Sequence, residues 1–523
     1  MNTTDILIVG AGPTGLVLAN ELARRGVDHR IIERSARPFD GSRGKGVQPR
    51  SLEIFETIGI ADALIANGRF DIPMLLHAKE GTQLLDQSGE AREGAPYRST
   101  LLTPQWRVEG LLRSRLAELG SEVEWATELT GIDQEPHRVV ARVLARGSED
   151  RIEARWLVGC DGGQSTVRKT LGIRFGGKTE EHIRMWVGDL VVDGLDRDHW
   201  HLWHGEDGFL ALCPLPGTNQ FQLQAQIAAD ERREPSLAAF ADLVRQRTGR
   251  NDIHLLDAGW LSPWRANVRM AERFRLGRTL LAGDAAHVHS PAGAQGMNTG
   301  IQDAYNLAWK LAAVLTGAET CLIDTYQEER LPIARGVLDL SSELTRTAFS
   351  PAMRRDRRAT QLDLSYRGSS LSTTIGAVSQ TIAAGDRAPD ATGLRGPDGN
   401  NRRLFELMRG PCPTIIIFAD AVPEAIRQAI DQTGNGARLL AITAAGTPAP
   451  GCWVDDEGTF RRLYAPLPGG LFVVRPDGYV GLTGSIADTA GLDRYLRAVT
   501  GTRNNQVPKC GSETRAVANE LTR

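Results

Sequence analysis

The sequence predicts an α/β protein built on a Rossmann-type start, and three strand ends carry that prediction. Asp5–Val9 runs into Gly10-Ala11-Gly12-Pro13-Thr14-Gly15 and then an apolar helical face. Trp156–Val158 runs into Gly159-Cys160-Asp161-Gly162-Gly163, and an apolar strand from Thr279 runs into Gly283-Asp284, a Pro/Gly-rich loop and a long amphipathic helix. An apolar run ending in glycine and followed by a helix is the turn that places backbone N–H groups at a helix start.

The elements follow in order. Leu18, Ala19, Leu22 and Ala23 share one helical face, and Ile31-Ile32 opens the next strand, which ends at Glu33. A basic, Gly-rich loop, GSRGKG, precedes a helix carrying Leu52, Ile54, Phe55 and Ile58, and a helix through Val108, Leu111, Leu112 and Leu116 follows Pro104-Gln105. From 185 the pattern changes to strands, at Met185, His201, Gly208 and Phe221. A sheet-rich unit is therefore expected at 176–266, inserted between the two parts of a cofactor unit at 1–175 and 267–345. A connecting segment is expected at 346–384, a small α/β unit at 385–503 and a flexible tail at 504–523.

Composition narrows the function. The chain has 523 residues, 41% of them hydrophobic, and a formal net charge of −3, so no overall basic field points to nucleic acid. The first residues lack a basic, then apolar, leader, and no apolar run reaches the length of a membrane span, so a cytoplasmic protein without membrane contact is expected. Six scattered cysteines show no CxxC or metal-ligand spacing, which fits reduced thiols and no metal site.

The motifs point to a dinucleotide. Gly10, Gly12 and Gly15 give a tight turn, close approach to a pyrophosphate and close helix packing, and Glu33 suits a ribose diol. Asp284 offers a carboxylate beside the second turn, with a helix cap as its competing role. Backbone N–H groups of Gly296, Met297 and Asn298 can stabilise negative charge at a helix start.

The set GAGPTG…ER, GCDGGQSTVRK and GDAAHVHSPAGAQGMNTGIQDA resembles the class A FAD-dependent aromatic hydroxylases, whose fold is known from p-hydroxybenzoate hydroxylation. The stretch from Gly385 resembles the thioredoxin-like domain of the phenol- and polyketide-hydroxylase branch. The fold implied is a Rossmann-type FAD-binding domain with an inserted substrate sheet and a thioredoxin-like C-terminal domain. The resemblance assigns Gly10, Gly12, Pro13, Gly15, Glu33 and Arg34 to the ADP half of non-covalent FAD, with Leu129 near the adenosine. Gln105 and Asp284 fall at the ribityl chain, and Asp161 at the pyrophosphate side, where a purely structural turn competes. Pro291, Gly296, Met297 and Asn298 fall at the flavin ring, and Arg43 beside flavin and nicotinamide, a surface arginine being its alternative.

That family reduces FAD with NAD(P)H, NADPH being favoured here as a transient reductant, and uses O2 through a flavin C4a-hydroperoxide to hydroxylate a phenolic or polyketide substrate. Catalysis is then flavin-centred, with Arg43 and Pro291 the protein groups nearest to it. Baeyer–Villiger oxygenation, epoxidation, or a dehydrogenase or reductase that uses no oxygen are the alternatives on the same scaffold.

On the middle sheet, Trp203, Phe209, Leu212 and Leu223 are candidates for an apolar substrate pocket, and the alternating Gln222, Gln224 and Gln226 read as a solvated face. Pro214 and Pro216 fall where p-hydroxybenzoate-binding members hold a carboxylate, which implies a larger and less acidic aromatic substrate. His287 reads as a packing residue. Cys412 has no nearby second cysteine, so the C-terminal unit is read as structural. A monomer or homodimer is expected.

Overall fold

Ile6–Val9 reads as an unbroken apolar run because this part of strand Thr3–Val9 is buried in a parallel sheet, paired with His29–Ile32 on one side and Ser148–Gly159 on the other. Thr279–Leu281 adds in parallel beyond Ser148–Gly159. The register sets Val9 opposite Gly159 and Gly159 opposite Leu281, so all three Gly-bearing ends emerge together along one sheet edge. The computed structural model describes residues 2–78, 81–228, 230–289, 294–347, 357–376, 379, 381–433, 437–444 and 451–500. Pro291, residues 348–356 of the expected connecting segment and the tail at 504–523 lie outside them.

A second sheet of eight strands stands against this one. Its long pair, Phe175–Asp193 and His254–Ala271, runs antiparallel with register shifts, and Gln220–Ile227, Gly208–Pro214 and Trp200–Gly205 follow. The expected strands are all present, but the sheet also takes Met74–Ala78 and Gly81–Leu85 from the stretch assigned to the cofactor unit. Met74 and Leu76 are buried and pair beside Trp200 and Leu202, so burial draws this hairpin across. Helix Leu237–Thr248 covers one face, burying Phe240, Leu243 and Val244 against Trp186, Leu190 and Leu223.

The C-terminal unit is of thioredoxin type. Thr414–Phe418, Arg438–Thr443 and Cys452–Asp455 pair in parallel, and Gly470–Val474 with Val480–Ser485 add antiparallel. Helix Thr489–Thr500 packs Leu492 and Leu496 into the same apolar layer as Trp309, from the long helix Gly296–Leu315. Buried ion pairs complete the seam: Glu53 accepts from both Arg50 and Arg387, and Glu329 from Lys310 and Arg475.

Candidate functional site

The edge where the three strands end is built to receive a dinucleotide. A Cβ on Gly10, which has φ +105°, would lie 2.5 Å from the Cys160 carbonyl oxygen, and one on Gly15 would drive into the Gly10 carbonyl, so the turn is closed behind. In front of Gly12 nothing lies within 4 Å of such an atom. Gly12 also starts helix Pro13–Ala23 without a side-chain cap, leaving the positive end of the helix facing that open space. Glu33 holds the turn from the next strand: Oε2 accepts from Ala11 N at 3.0 Å and Oε1 from Ser35 N at 3.0 Å. Arg34 is exposed beside it.

The second half of the site is fixed by Asp303, a fully buried residue of helix Gly296–Leu315. It accepts from Gly283 N at 3.1 Å, His287 Nε2 at 2.7 Å and Arg330 Nε at 2.7 Å. Burial pushes this carboxyl up, but Arg330 and His287 outweigh it and hold it below its usual value. His287 is thus the packing residue expected. Gly283, at φ +60°, faces Thr14, whose Oγ1 would meet a Cβ there at 2.5 Å; the first turn and the Gly283-Asp284 turn therefore touch.

Asp284 projects from this anchored turn with its side chain open to solvent. It is nevertheless enclosed by protein mass, and the loss of water raises its carboxyl pKa against the charges of His287 and Arg43, with Asp303 adding to the rise. Both properties belong to a group on the wall of a deep groove. The same groove takes in Arg43, exposed and stacked 4.7 Å over Phe39, and Gln105, whose backbone N–H donates to Gly44 O at 3.0 Å. Gln105 Nε2 donates to Glu109 at 2.9 Å.

The first turn of the helix from Gly296 also begins without a side-chain cap, so Gly296 and Met297 present a positive helix end. Asn298 uses its side chain: Oδ1 accepts from Gln48 N at 2.8 Å and Nδ2 donates to Gly46 O at 2.9 Å. It pins the GSRGKG loop to this helix end.

Two further assigned residues have structural surroundings of their own. Asp161 Oδ2 accepts from Thr166 N and Val167 N at 2.7 and 3.1 Å, so this oxygen caps helix Thr166–Thr170, while Oδ1 is buried without a hydrogen-bond partner among the described residues and the Asp161 backbone abuts Gly10. Leu129 is 3% exposed, its side chain packed within the apolar core.

On the second sheet the pleat separates the substrate candidates. Trp203, Leu212 and Leu223 lie in the apolar layer under helix Leu237–Thr248, on the sheet face turned away from the GSRGKG loop. Phe209 lies on the opposite face, with Val187, Leu202 and Ala211. The glutamines share that face, and two of them are not solvated: Gln222 is 1% exposed and Gln224 9%, while Gln226 is half-buried. Gln222 Oε1 accepts from Lys45 Nζ at 2.6 Å and from Gln224 Nε2 at 3.0 Å, and its amide donates to Ser42 O. Ser42 N donates to Asp189 Oδ2 at 2.7 Å. Lys45, Asp189 and Gln222 therefore form a buried polar corner between the GSRGKG loop and the sheet.

The FAD binding domain family matches residues 3–341. A flavin-dependent monooxygenase of Mycobacteroides abscessus is 40% identical over 488 residues, covering 91% of this chain and 96% of its own length. A 6-methylpretetramide 4-monooxygenase of Streptomyces rimosus is 33% identical over 553 residues, with 99% and 98% covered. Among solved structures, aklavinone-11 hydroxylase in ternary complex with FAD and aklavinone aligns with a TM-score of 0.80 at 26% identity, covering 95% of this chain and 99% of that one.

Proposed function

The chain belongs to the FAD-binding domain family and is an FAD-dependent aromatic monooxygenase; from that premise we propose that its substrate is an uncharged, fused-ring phenol of the polyketide class. One observation carries the reading. The sheet face toward the GSRGKG loop joins a broad apolar layer of Val187, Leu202, Phe209 and Ala211 to a single polar corner at Lys45, Asp189 and Gln222. That combination fits a flat hydrocarbon body with oxygens at one edge.

At the end of Gly208–Pro214, Pro214 and Pro216 offer a benzoate anion neither a charge nor an N–H donor. Pro214 and Pro216 line a cavity of about 360 Å³ at the end of Gly208–Pro214, together with Arg69, Arg197 and Thr218. Arg69 is paired with Asp198, and Arg197 Nη2 is bonded to the carbonyls of Leu215, Thr218 and Gln220. The 6-methylpretetramide and aklavinone named for the relatives are substrates of the fused-ring kind.

The residues fit FAD: the open space before Gly12 suits the pyrophosphate, Glu33 the adenosine ribose, and Asp284 with Gln105 the ribityl hydroxyls. Bound FAD supplies reduction by NAD(P)H and activation of O2. The uncapped helix end at Gly296 and Met297 suits negative charge on the ring, and the exposed Arg43, whose charge acts on Asp284, suits an approaching nicotinamide. NADPH is taken as the transient reductant. With a net charge of −3, scattered cysteines and, among the described residues, no helix long and apolar enough to cross a membrane, we read a cytoplasmic monomer or homodimer acting on small molecules.

The test is an aromatic panel scored for substrate-stimulated NADPH oxidation and for product by mass spectrometry. Fused-ring phenols should stimulate and be hydroxylated. Well-coupled turnover of p-hydroxybenzoate in preference to them would overturn the reading.

A further inference from the structure

Lys45 is the basic residue of the polar corner, and its backbone is fixed between neighbouring segments: its carbonyl accepts from Thr103 N at 2.9 Å, and Gly46 pairs with Leu102. Its side chain then crosses to the sheet, 9% exposed, with Nζ 4.8 Å over the Trp200 ring. Among the described residues Nζ makes one hydrogen bond, to the neutral Gln222, and no ion pair. An ammonium group so buried costs several kcal/mol unless an anion joins it. Asp189, the carboxylate of the same corner, is 1% exposed and is held by Ser42 N through Oδ2, while Oδ1 lacks a formed hydrogen bond.

We propose that Lys45 is a catalytic residue that takes the proton of the substrate's phenolic hydroxyl and then holds the resulting aryloxide. The proposal rests on the fused-ring phenol as substrate. The O–H bond of the substrate breaks as an N–H bond forms on the neutral amine, and the ammonium pairs with the aryloxide, whose ring carbon is thereby made more nucleophilic. After oxygen transfer the attacked ring carbon loses its hydrogen as a proton, which is taken up as the second oxygen atom leaves as water; this restores an aryloxide on the product, and Lys45 returns its proton to that oxygen.

The surroundings suit an amine that cycles. Burial pulls the Lys45 pKa down, while Cys213 and Asp189, the titratable groups facing it from neighbouring strands, pull it partly back. Burial pushes both of those groups up, the Cys213 thiol to about 11, so they are biased toward their neutral forms. The low dielectric that penalises the lone ammonium strengthens its pairing with an aryloxide.

The experiment uses the FAD-loaded enzyme and alizarin, a fused-ring phenol whose colour reports its ionisation. At a pH where free alizarin is mostly neutral, the ratio of anion to neutral dye in the wild-type complex, relative to that in free solution, should be at least about ten, a difference of about 1.4 kcal/mol. Lys45→Met should bring that ratio to about one at unchanged FAD content. Lys45→Arg should keep the anion preference, yet its rate of NADPH-driven hydroxylation of the fused-ring phenol that the panel identifies should fall and should rise with pH, because a guanidinium cannot take the proton. An undiminished anion preference in Lys45→Met with full FAD, or no preference in the wild type, overturns the proposal alone. Failure of the wild type to bind alizarin in either form counts against the fused-ring reading and the proposal together.

Discussion

Asp284 opens into the groove proposed for the cofactor, and Asp303 holds the turn that carries it. Asp284→Ala should remove acceptors for the ribityl hydroxyls, costing FAD affinity on the order of 1.5–3 kcal/mol in a titration of apoprotein; unchanged affinity would refute its role. Asp303→Ala should cost about 3–5 kcal/mol in stability, because it leaves the buried Arg330 and His287 without their carboxylate. Since the folded-state pKa of Asp303 is depressed, its stabilisation is fully present above the unfolded value of about 3.9 and fades as pH falls through the lower folded value. The difference in denaturation midpoint between wild type and Asp303→Ala should therefore shrink on acidification below about pH 4. Glu33, Asp284 and the glycines were readable in the sequence because each sits within a few positions of a strand end. Lys45 was not, since its partner Gln222 is 177 residues away and only the folded sheet brings them together.

At the level of elements, the first turn makes a sharp contrast between two glycines. Gly15→Ala should compromise folding, because its Cβ strikes the Gly10 carbonyl. Gly12→Ala faces open space, so the apoprotein should keep its thermal midpoint while FAD binds at least about tenfold more weakly, roughly 1.4 kcal/mol. Equal FAD affinity in that variant would mean that the pyrophosphate lies elsewhere. The parallel strands and their helices were legible from apolar runs and helical periodicity. His254–Ala271 was not, because Pro263 and two register shifts with its partner strand near Asp189 and Val191 interrupt the alternation that marks a strand. The solvated reading of Gln222 and Gln224 failed for a related reason: alternation says which residues share a face, and the loop at 41–47 decides that the face is covered.

For the whole molecule, the C-terminal unit is bonded to the helix that follows the flavin-side loop. Glu53 joins Arg50 and Arg387, Glu56 joins Arg403, and Arg50 reaches the Asp477 carbonyl at 2.6 Å. Removing the chain from Gly385 onward should expose this seam and produce insoluble or FAD-poor protein, whereas Cys412→Ser, at the edge of a small cavity in the seam, should leave turnover within about twofold of the wild type. Loss of turnover in Cys412→Ser at full FAD content would show a redox role instead. The most direct test of the central claim is turnover of fused-ring phenols with NADPH under isotopically labelled O2. The account predicts yellow protein whose product carries one labelled oxygen atom per NADPH consumed. Substrate-dependent NADPH oxidation that yields no labelled product from any fused-ring phenol, or that proceeds equally well without oxygen, would contradict it.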